Sequence, residues 1–151
     1  MSARDGGCFC GAIRYRFEGE PLTLYACHCT DCQRQSGASF SLSMVVFRDA
    51  IELLQGEPSL FEITMPDGRV KNGRFCATCG TLLWVEPIKF PGIAILAPGT
   101  LDDTSWINPV AHIWTRSAQP WTTIPEGVLR FEGQAEDPMV LINAWRERRG
   151  S

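Results

Sequence analysis

The chain has 151 residues, 44% of them hydrophobic and 21% charged. It can close an apolar core and carries too little charge for wholesale disorder. Seventeen acidic against fourteen basic residues leave a net charge of −3, which argues against a nucleic-acid binder that works by neutralising phosphates. Seven cysteines cannot pair off into disulfides, and a chain this long needs no such staples to fold.

The opening residues, Met1 to Cys8, contain no apolar run suited to a leader. The longest apolar stretches, such as Ile93–Ala97, are too short to cross a bilayer. A cytoplasmic location is therefore expected, where thiols stay reduced and clustered cysteines signify metal or redox chemistry. No linker, like-charge run or whole-chain repeat divides the sequence, so residues 1–151 read as a single domain.

In chain order, the patterns are those of short strands punctuated by Gly, Pro, Asn and Asp. Ile13–Phe17 alternates in and out, and Leu22–Cys27 follows Pro21. Ser39–Phe47 and Ile51–Leu54 are split by Arg48-Asp49. Ser59–Met65 runs into Pro66-Asp67-Gly68, a tight-turn signal, so Arg69–Phe75 should return antiparallel to it. Thr81–Glu86, Ile93–Pro98 and Ala111–Thr115 complete the β pattern, and Asp102-Asp103-Thr104 is placed to cap a short helical turn within Leu101–Asn108. Asp137 with Pro138 then reads as the N-cap and first residue of a helix, and Met139–Arg149 keeps helical spacing. Its last-turn arginines, Arg146, Arg148 and Arg149, complement the helix dipole. The expected class is mainly β with a short C-terminal helix.

The thiols fall into three sets: Cys8 and Cys10; Cys27, Cys29 and Cys32; Cys76 and Cys79. Glycines flank the first and last sets, as in the knuckles that let two sulfurs converge on one tetrahedral ion. One partition joins Cys8, Cys10, Cys76 and Cys79 into a closed four-thiolate site and leaves Cys27, Cys29 and Cys32 as a three-thiolate site with an open position. Two alternatives compete: a second closed site completed by His28, His112 or a carboxylate, and a redox-active thiol set. On an extended segment His28 should point to the face opposite Cys27 and Cys29.

Gly7-Cys8-x-Cys10-Gly11-Ala12-Ile13-Arg14-Tyr15 is similar to the opening motif of the glutathione-dependent formaldehyde-activating enzyme family (the centromere protein V-like domain). Cys27-His28-Cys29-x-x-Cys32-Gln33-Arg34-x-Ser36-Gly37-Ala38 resembles the family's central motif, and Phe75-Cys76-x-x-Cys79-Gly80-Thr81 its third. Gly99–Asp103, His112-Ile113-Trp114 and Trp121 also fit the pattern. The resemblance spans about Gly6 to Phe131.

It implies a β-tent built on zinc knuckles and two zinc ions per chain. One would be structural, on Cys8, Cys10, Cys76 and Cys79. The other would be catalytic, on Cys27, Cys29 and Cys32. It further implies a carbon–sulfur lyase resembling S-(hydroxymethyl)glutathione synthase, with formaldehyde and a small-molecule thiol such as glutathione as partners; net charge and the short apolar stretches, read above, lead us to expect neither nucleic acid nor membrane as a partner. The competing expectation is a non-catalytic, zinc-scaffolded binding or chaperone-like module. Proton-donor candidates are His112, Asp31 and Ser36; Arg34 is placed to hold a substrate carboxylate; Trp84, Trp106, Trp114, Trp121 and Trp145 are core or pocket-lining. Gln33 and Ser36-Gly37, after the third thiol, are candidates to orient it through hydrogen bonds.

Overall fold

The computed structural model describes residues 2–149; the parts of the sequence reading that include Met1, Gly150 and Ser151 lie outside them. The described residues form a mainly β protein with eleven strands and two α-helices. No described helix is long and apolar enough to cross a membrane. The chain divides into two compact units, each discontinuous in sequence: Met1–Pro21 with Val45–Trp106, and Leu22–Met44 with Ile107–Ser151.

The first unit holds β1 (Ala3–Gly7), β2 (Arg14–Glu18) and β5 (Ile51–Gln55), antiparallel with β2 in the middle. The alternation read in the sequence of β2 is what the fold uses. Tyr15 and Phe17 are fully buried on one face. Arg14 and Arg16, on the other, pair with Asp102 and Asp5. Burying rings of this size stabilises by roughly 2–3 kcal/mol each, whereas the exposed ion pairs add at most about 1 kcal/mol apiece. Burial also raises the Tyr15 phenol to about 12, so it stays protonated and shares a 2.7 Å hydrogen bond with Thr100.

The same unit carries β6 (Ser59–Thr64), β7 (Val70–Phe75), β8 (Leu82–Pro87) and β9 (Ile93–Leu96), paired antiparallel in sequence order. The β6–β7 hairpin turns at the predicted residues: Gly68 takes φ 89°, and its N–H donates to Met65 O at 2.8 Å. Opposite Phe61, β7 has Gly73, and a Cβ there would come within 2.0 Å of the Phe61 ring. This glycine gives the aromatic ring its seat across the strand.

The second unit is organised around β3 (Thr23–Cys27), with β10 (Ala111–Ile113) parallel to it and β11 (Leu129–Arg130) parallel to β10. Strand β4 (Ser41–Phe47) begins in this unit and ends in the first. Helix α2 (Pro138–Arg149) starts where the sequence predicts: Pro138 is its first residue, and the Asp137 carboxylate accepts from Met139 N–H at 2.9 Å. Its buried residues are Leu141 and Trp145, one turn apart. Thr23 in β3 donates its hydroxyl to Leu141 O at 2.8 Å, and Arg148 donates to Pro109 O at 3.1 Å.

Besides the two-residue β11 and the short 3-10 turns, which the sequence does not mark, three elements depart from the sequence reading. Leu101–Asn108 forms no helical turn; Asp103 instead accepts from Ser105 N–H at 2.9 Å, closing an Asx turn that competes with a helix start. The glycine-containing β1 gains strand status by pairing with β2. Helix α1 (Thr30–Ser36) stands where a run of thiols and polar residues gives no apolar periodicity, and it has no buried residue.

Glu86 in β8 is the polar hub of the first unit. Its carboxylate accepts from Trp84 Nε1 at 2.8 Å and Arg74 Nε at 2.9 Å, and Arg48 lies at 3.5 Å. Burial opposes its ionisation, yet these donors and cations hold its pKa below the usual 4.5. A depressed carboxylate stabilises the fold above its unfolded pKa and loses that contribution as pH falls through the folded value. Glu86→Gln should therefore cost about 1–3 kcal/mol at neutral pH. In urea melts the gap from wild type should close as the pH is lowered through the carboxylate range.

Candidate metal centres

The first cluster is assembled from two turns of similar construction. After β1, Cys8 O accepts from Gly11 N–H and Cys8 N–H donates to Ile13 O, each at 3.1 Å, so the chain reverses around Cys8 and Cys10. After β7, Cys76 O accepts from Gly80 N–H at 2.7 Å and Cys76 N–H donates to Thr81 O at 3.0 Å. Gly11 and Gly80 both take the left-handed conformation, φ 82° and 81°, which a side chain would disfavour.

The four sulfurs of Cys8, Cys10, Cys76 and Cys79 lie within 4.8 Å of one another. Cys8 to Cys10 measures 3.6 Å and Cys10 to Cys76 3.8 Å. Tetrahedral geometry with metal–sulfur bonds of about 2.3 Å requires sulfurs about 3.8 Å apart, so the observed spacing fits a zinc-sized ion. The turns also aim donors at the sulfurs: Ile13 N–H meets Cys8 Sγ at 3.3 Å. The Thr81 hydroxyl accepts from Phe9 N–H at 3.1 Å, which leaves its proton free for Cys79 Sγ at 3.2 Å. That hydroxyl, followed by the Thr81 and Cys10 amides, lowers the Cys79 thiol to about 5.

The second cluster lies in the second unit. Cys27 ends β3, Cys29 is the N-cap of α1, and Cys32 sits in the helix's first turn, with its N–H 3.3 Å from Cys29 Sγ. The three sulfurs again lie within 4.8 Å of one another. Hydrogen bonds from Cys27 and Cys32, with the Cys32 and Asp31 amides, hold the Cys29 thiol far below its usual range. The same sharing pushes Cys27 up. Two thiolates about 4 Å apart repel by roughly 4 kcal/mol at an effective dielectric near 20, so all three ionise together only around a cation.

Neither imidazole joins this set. His28 Nε2 and His112 Nδ1 are 2.8 Å apart, and the rings of His28, His112 and Phe40 pack together. His28 is fully buried, and its Nδ1 has no hydrogen-bond partner. Burial lowers the pKa of both histidines, and for His112 the adjacent His28 adds to the effect. The second metal-capable group among the described residues is thus three sulfurs, Cys27, Cys29 and Cys32, without a histidine or carboxylate. No cysteine is in a disulfide.

The remaining sequence candidates divide. Ser36 Oγ accepts from Ala38 N–H at 3.2 Å and keeps its own proton, and Arg34 is exposed on α1. Trp84 and Trp145 are core, Trp106 and Trp114 are half-buried, and Trp121 is 73% exposed. Gln33 donates to His28 O at 2.7 Å and to Ser117 O at 2.9 Å. Gln119, which no sequence signal singled out, donates to Gln33 Oε1 at 2.7 Å. Its only sequence cue is its place between the motif residues Trp114 and Trp121.

The sequence pattern of the family described as glutathione-dependent formaldehyde-activating enzyme matches residues 3–117. A Halomonas elongata protein named "Putative glutathione-dependent formaldehyde-activating enzyme" is 26% identical over 125 residues, 80% of each chain. A solved structure of a Rhodobacter sphaeroides protein shares the fold, with a TM-score of 0.53 and 19% identity over 84% of this chain and 98% of that one. The match takes in all seven cysteines of both clusters, and the chain belongs to the glutathione-dependent formaldehyde-activating enzyme family.

Proposed function

We propose that the protein is a zinc-dependent carbon–sulfur lyase resembling S-(hydroxymethyl)glutathione synthase, which joins a small thiol such as glutathione to formaldehyde and cleaves the adduct in reverse. The observation that carries this reading is the asymmetry between the clusters: four sulfurs complete a tetrahedral site, whereas three leave one position for a substrate. Cys8, Cys10, Cys76 and Cys79 would hold a structural zinc, and Cys27, Cys29 and Cys32 a catalytic one. A zinc ion at the three-cysteine site supplies affinity for a soft sulfur ligand and favours the substrate thiol as its thiolate.

The chain's own groups set the charge and the shape there. Three cysteine thiolates on a divalent ion give the site a formal −1 charge, which favours reversible sulfur binding over strong polarisation of an oxygen. The amides of Asp31 and Cys32 donate to Cys29, and the Ser41 hydroxyl donates to Cys32, so the loop spreads that negative charge. In the reaction the substrate sulfur forms a bond to the aldehyde carbon, the carbonyl π pair moves onto oxygen, and the thiol's proton ends on the new hydroxyl. No electrons are gained or lost. Holding both reactants replaces a chance encounter with an oriented one. A reducing compartment such as the cytoplasm suits seven free thiols.

Metal analysis should find two zinc ions per chain. Cys29→Ser should retain one with an unchanged circular dichroism spectrum, whereas Cys76→Ser should unfold or lose several kcal/mol, because structural zinc binding is folding free energy. A wild type holding one zinc removes the open-site reading.

Exchange NMR with glutathione and formaldehyde should show wild-type protein accelerating adduct exchange. Cys29→Ser should fall to the level of metal-stripped protein. No acceleration with any of a panel of small thiols removes the lyase assignment and leaves a zinc-scaffolded module.

A further inference from the structure

The three-thiol loop is held from outside by one amide group. Both N–H bonds of the Gln33 side chain are spent on carbonyls, His28 O at 2.7 Å and Ser117 O at 2.9 Å. Its oxygen accepts from Gln119 at 2.7 Å. Two carbonyls against Nε2 and a donor against Oε1 leave only one orientation for this amide. The His28–Cys29 peptide is planar, so anchoring its C=O fixes the direction of its N–H on the opposite edge. That N–H belongs to Cys29, the N-cap whose sulfur accepts from Cys32 N–H at 3.3 Å, so the anchored carbonyl sets the direction from which the chain enters the thiol loop. A second tie runs from His28 N–H to Ile113 O at 3.0 Å.

Ser117 and Gln119 lie just beyond a fixed point in the chain. Trp114 takes φ 56°, the one positive φ of a non-glycine residue among those described, and its N–H donates to Gly133 O at 3.0 Å. A single 3-10 turn, Thr115–Ser117, follows. The segment that presents Ser117 O and the Gln119 amide is thus anchored independently of the thiol loop.

We propose that Gln33 and Gln119 are positioning residues for the three-cysteine site, which fix the His28–Cys29 peptide between Cys27 and the Cys29 N-cap and couple the thiol loop to the Ser117–Gln119 segment. This rests on the reading of Cys27, Cys29 and Cys32 as a metal site. Neither glutamine touches metal or substrate. Their effect is exerted through the loop, as for the outer partners that orient metal ligands elsewhere, where loss costs about 10–100-fold in metal affinity.

The test uses the full chain loaded with Co²⁺, whose sulfur-to-metal absorption bands report ligand geometry, with Cys29→Ser subtracted to isolate the three-cysteine site. Metal release to a chelator is timed for wild type, Gln33→Met, Gln33→Glu and Gln119→Met. Gln33→Met should release this metal about 10–100-fold faster and shift its charge-transfer bands, with the four-cysteine metal and circular dichroism unchanged. Gln33→Glu keeps the shape but faces two carbonyls without a donor, and should do the same. Gln119→Met should speed release less, and should add nothing in the Gln33→Met background.

Wild-type release and bands in both Gln33 variants overturn the proposal. Should the Gln33 variants not fold, unchanged release and bands in Gln119→Met overturn it in their place. A wild type that binds a single Co²⁺ refutes the metal reading itself, and this inference with it. Two bound ions with indifferent glutamine variants refute the inference alone.

Discussion

Thiolates packed within 4.8 Å of one another repel, and the protein gathers them twice. That constraint governs the rest of the structure. Without a cation the crowded sulfurs cannot all give up their protons, and in the three-cysteine set Cys27 and Cys29 are displaced in opposite directions. With a cation the same crowding becomes cohesion, because every sulfur gains a shared positive centre. The turns around Cys8, Cys29 and Cys79 reduce the repulsion further by directing N–H and O–H groups at the sulfurs.

The two clusters meet this constraint by different local means. Around the four-cysteine set, two glycine-bearing turns each contribute two sulfurs, and both turns close on their own backbone. Around the three-cysteine set, a strand end and a helix start share the work. Cys29, as N-cap, gives its sulfur to the helix amides while its neighbour Cys27 remains in the strand. Such a helix buries nothing, so its place depends on its cap, on Gly37 at its C-terminal end, and on Gln33. That economy leaves Cys29 and Cys32 only half-buried, while Cys27 at the strand end is buried.

The histidines show how strand geometry sorts side chains. His28 lies between two metal-capable thiols in sequence, and His112 belongs to a motif, so both are tempting ligands. The alternation of an extended chain turns His28 from the sulfurs. The parallel register that sets His112 opposite Ala26 then brings the two rings together at 2.8 Å. Their depressed pKa values follow from burial and keep the pair neutral near physiological pH. They make a buried polar contact beneath the thiol loop.

Much was legible in the sequence because it depends on neighbours a few residues apart. Alternation placed β2, apolar runs bounded by Pro21 and by Arg48-Asp49 placed β3 and β4, Pro66-Asp67-Gly68 placed a hairpin, and Asp137-Pro138 placed the start of α2. The division of seven thiols into sets also rests on short spacings. The mainly β class and the family follow from these signals. What lay beyond the sequence requires residues far apart to meet. Gly6 and Gly7 become strand only because β2 is there to pair with, and Gly73 matters only because Phe61 crosses it. Cys10 and Cys76 are 66 positions apart, so only the folded chain sets their sulfurs at tetrahedral spacing. Gln119 acquires a role only because tertiary folding brings its amide to Gln33, 86 positions away. Local steric and hydrogen-bonding preferences act along the chain and can be read from it, whereas a shared ion or a bridging amide needs coordinates that only packing supplies.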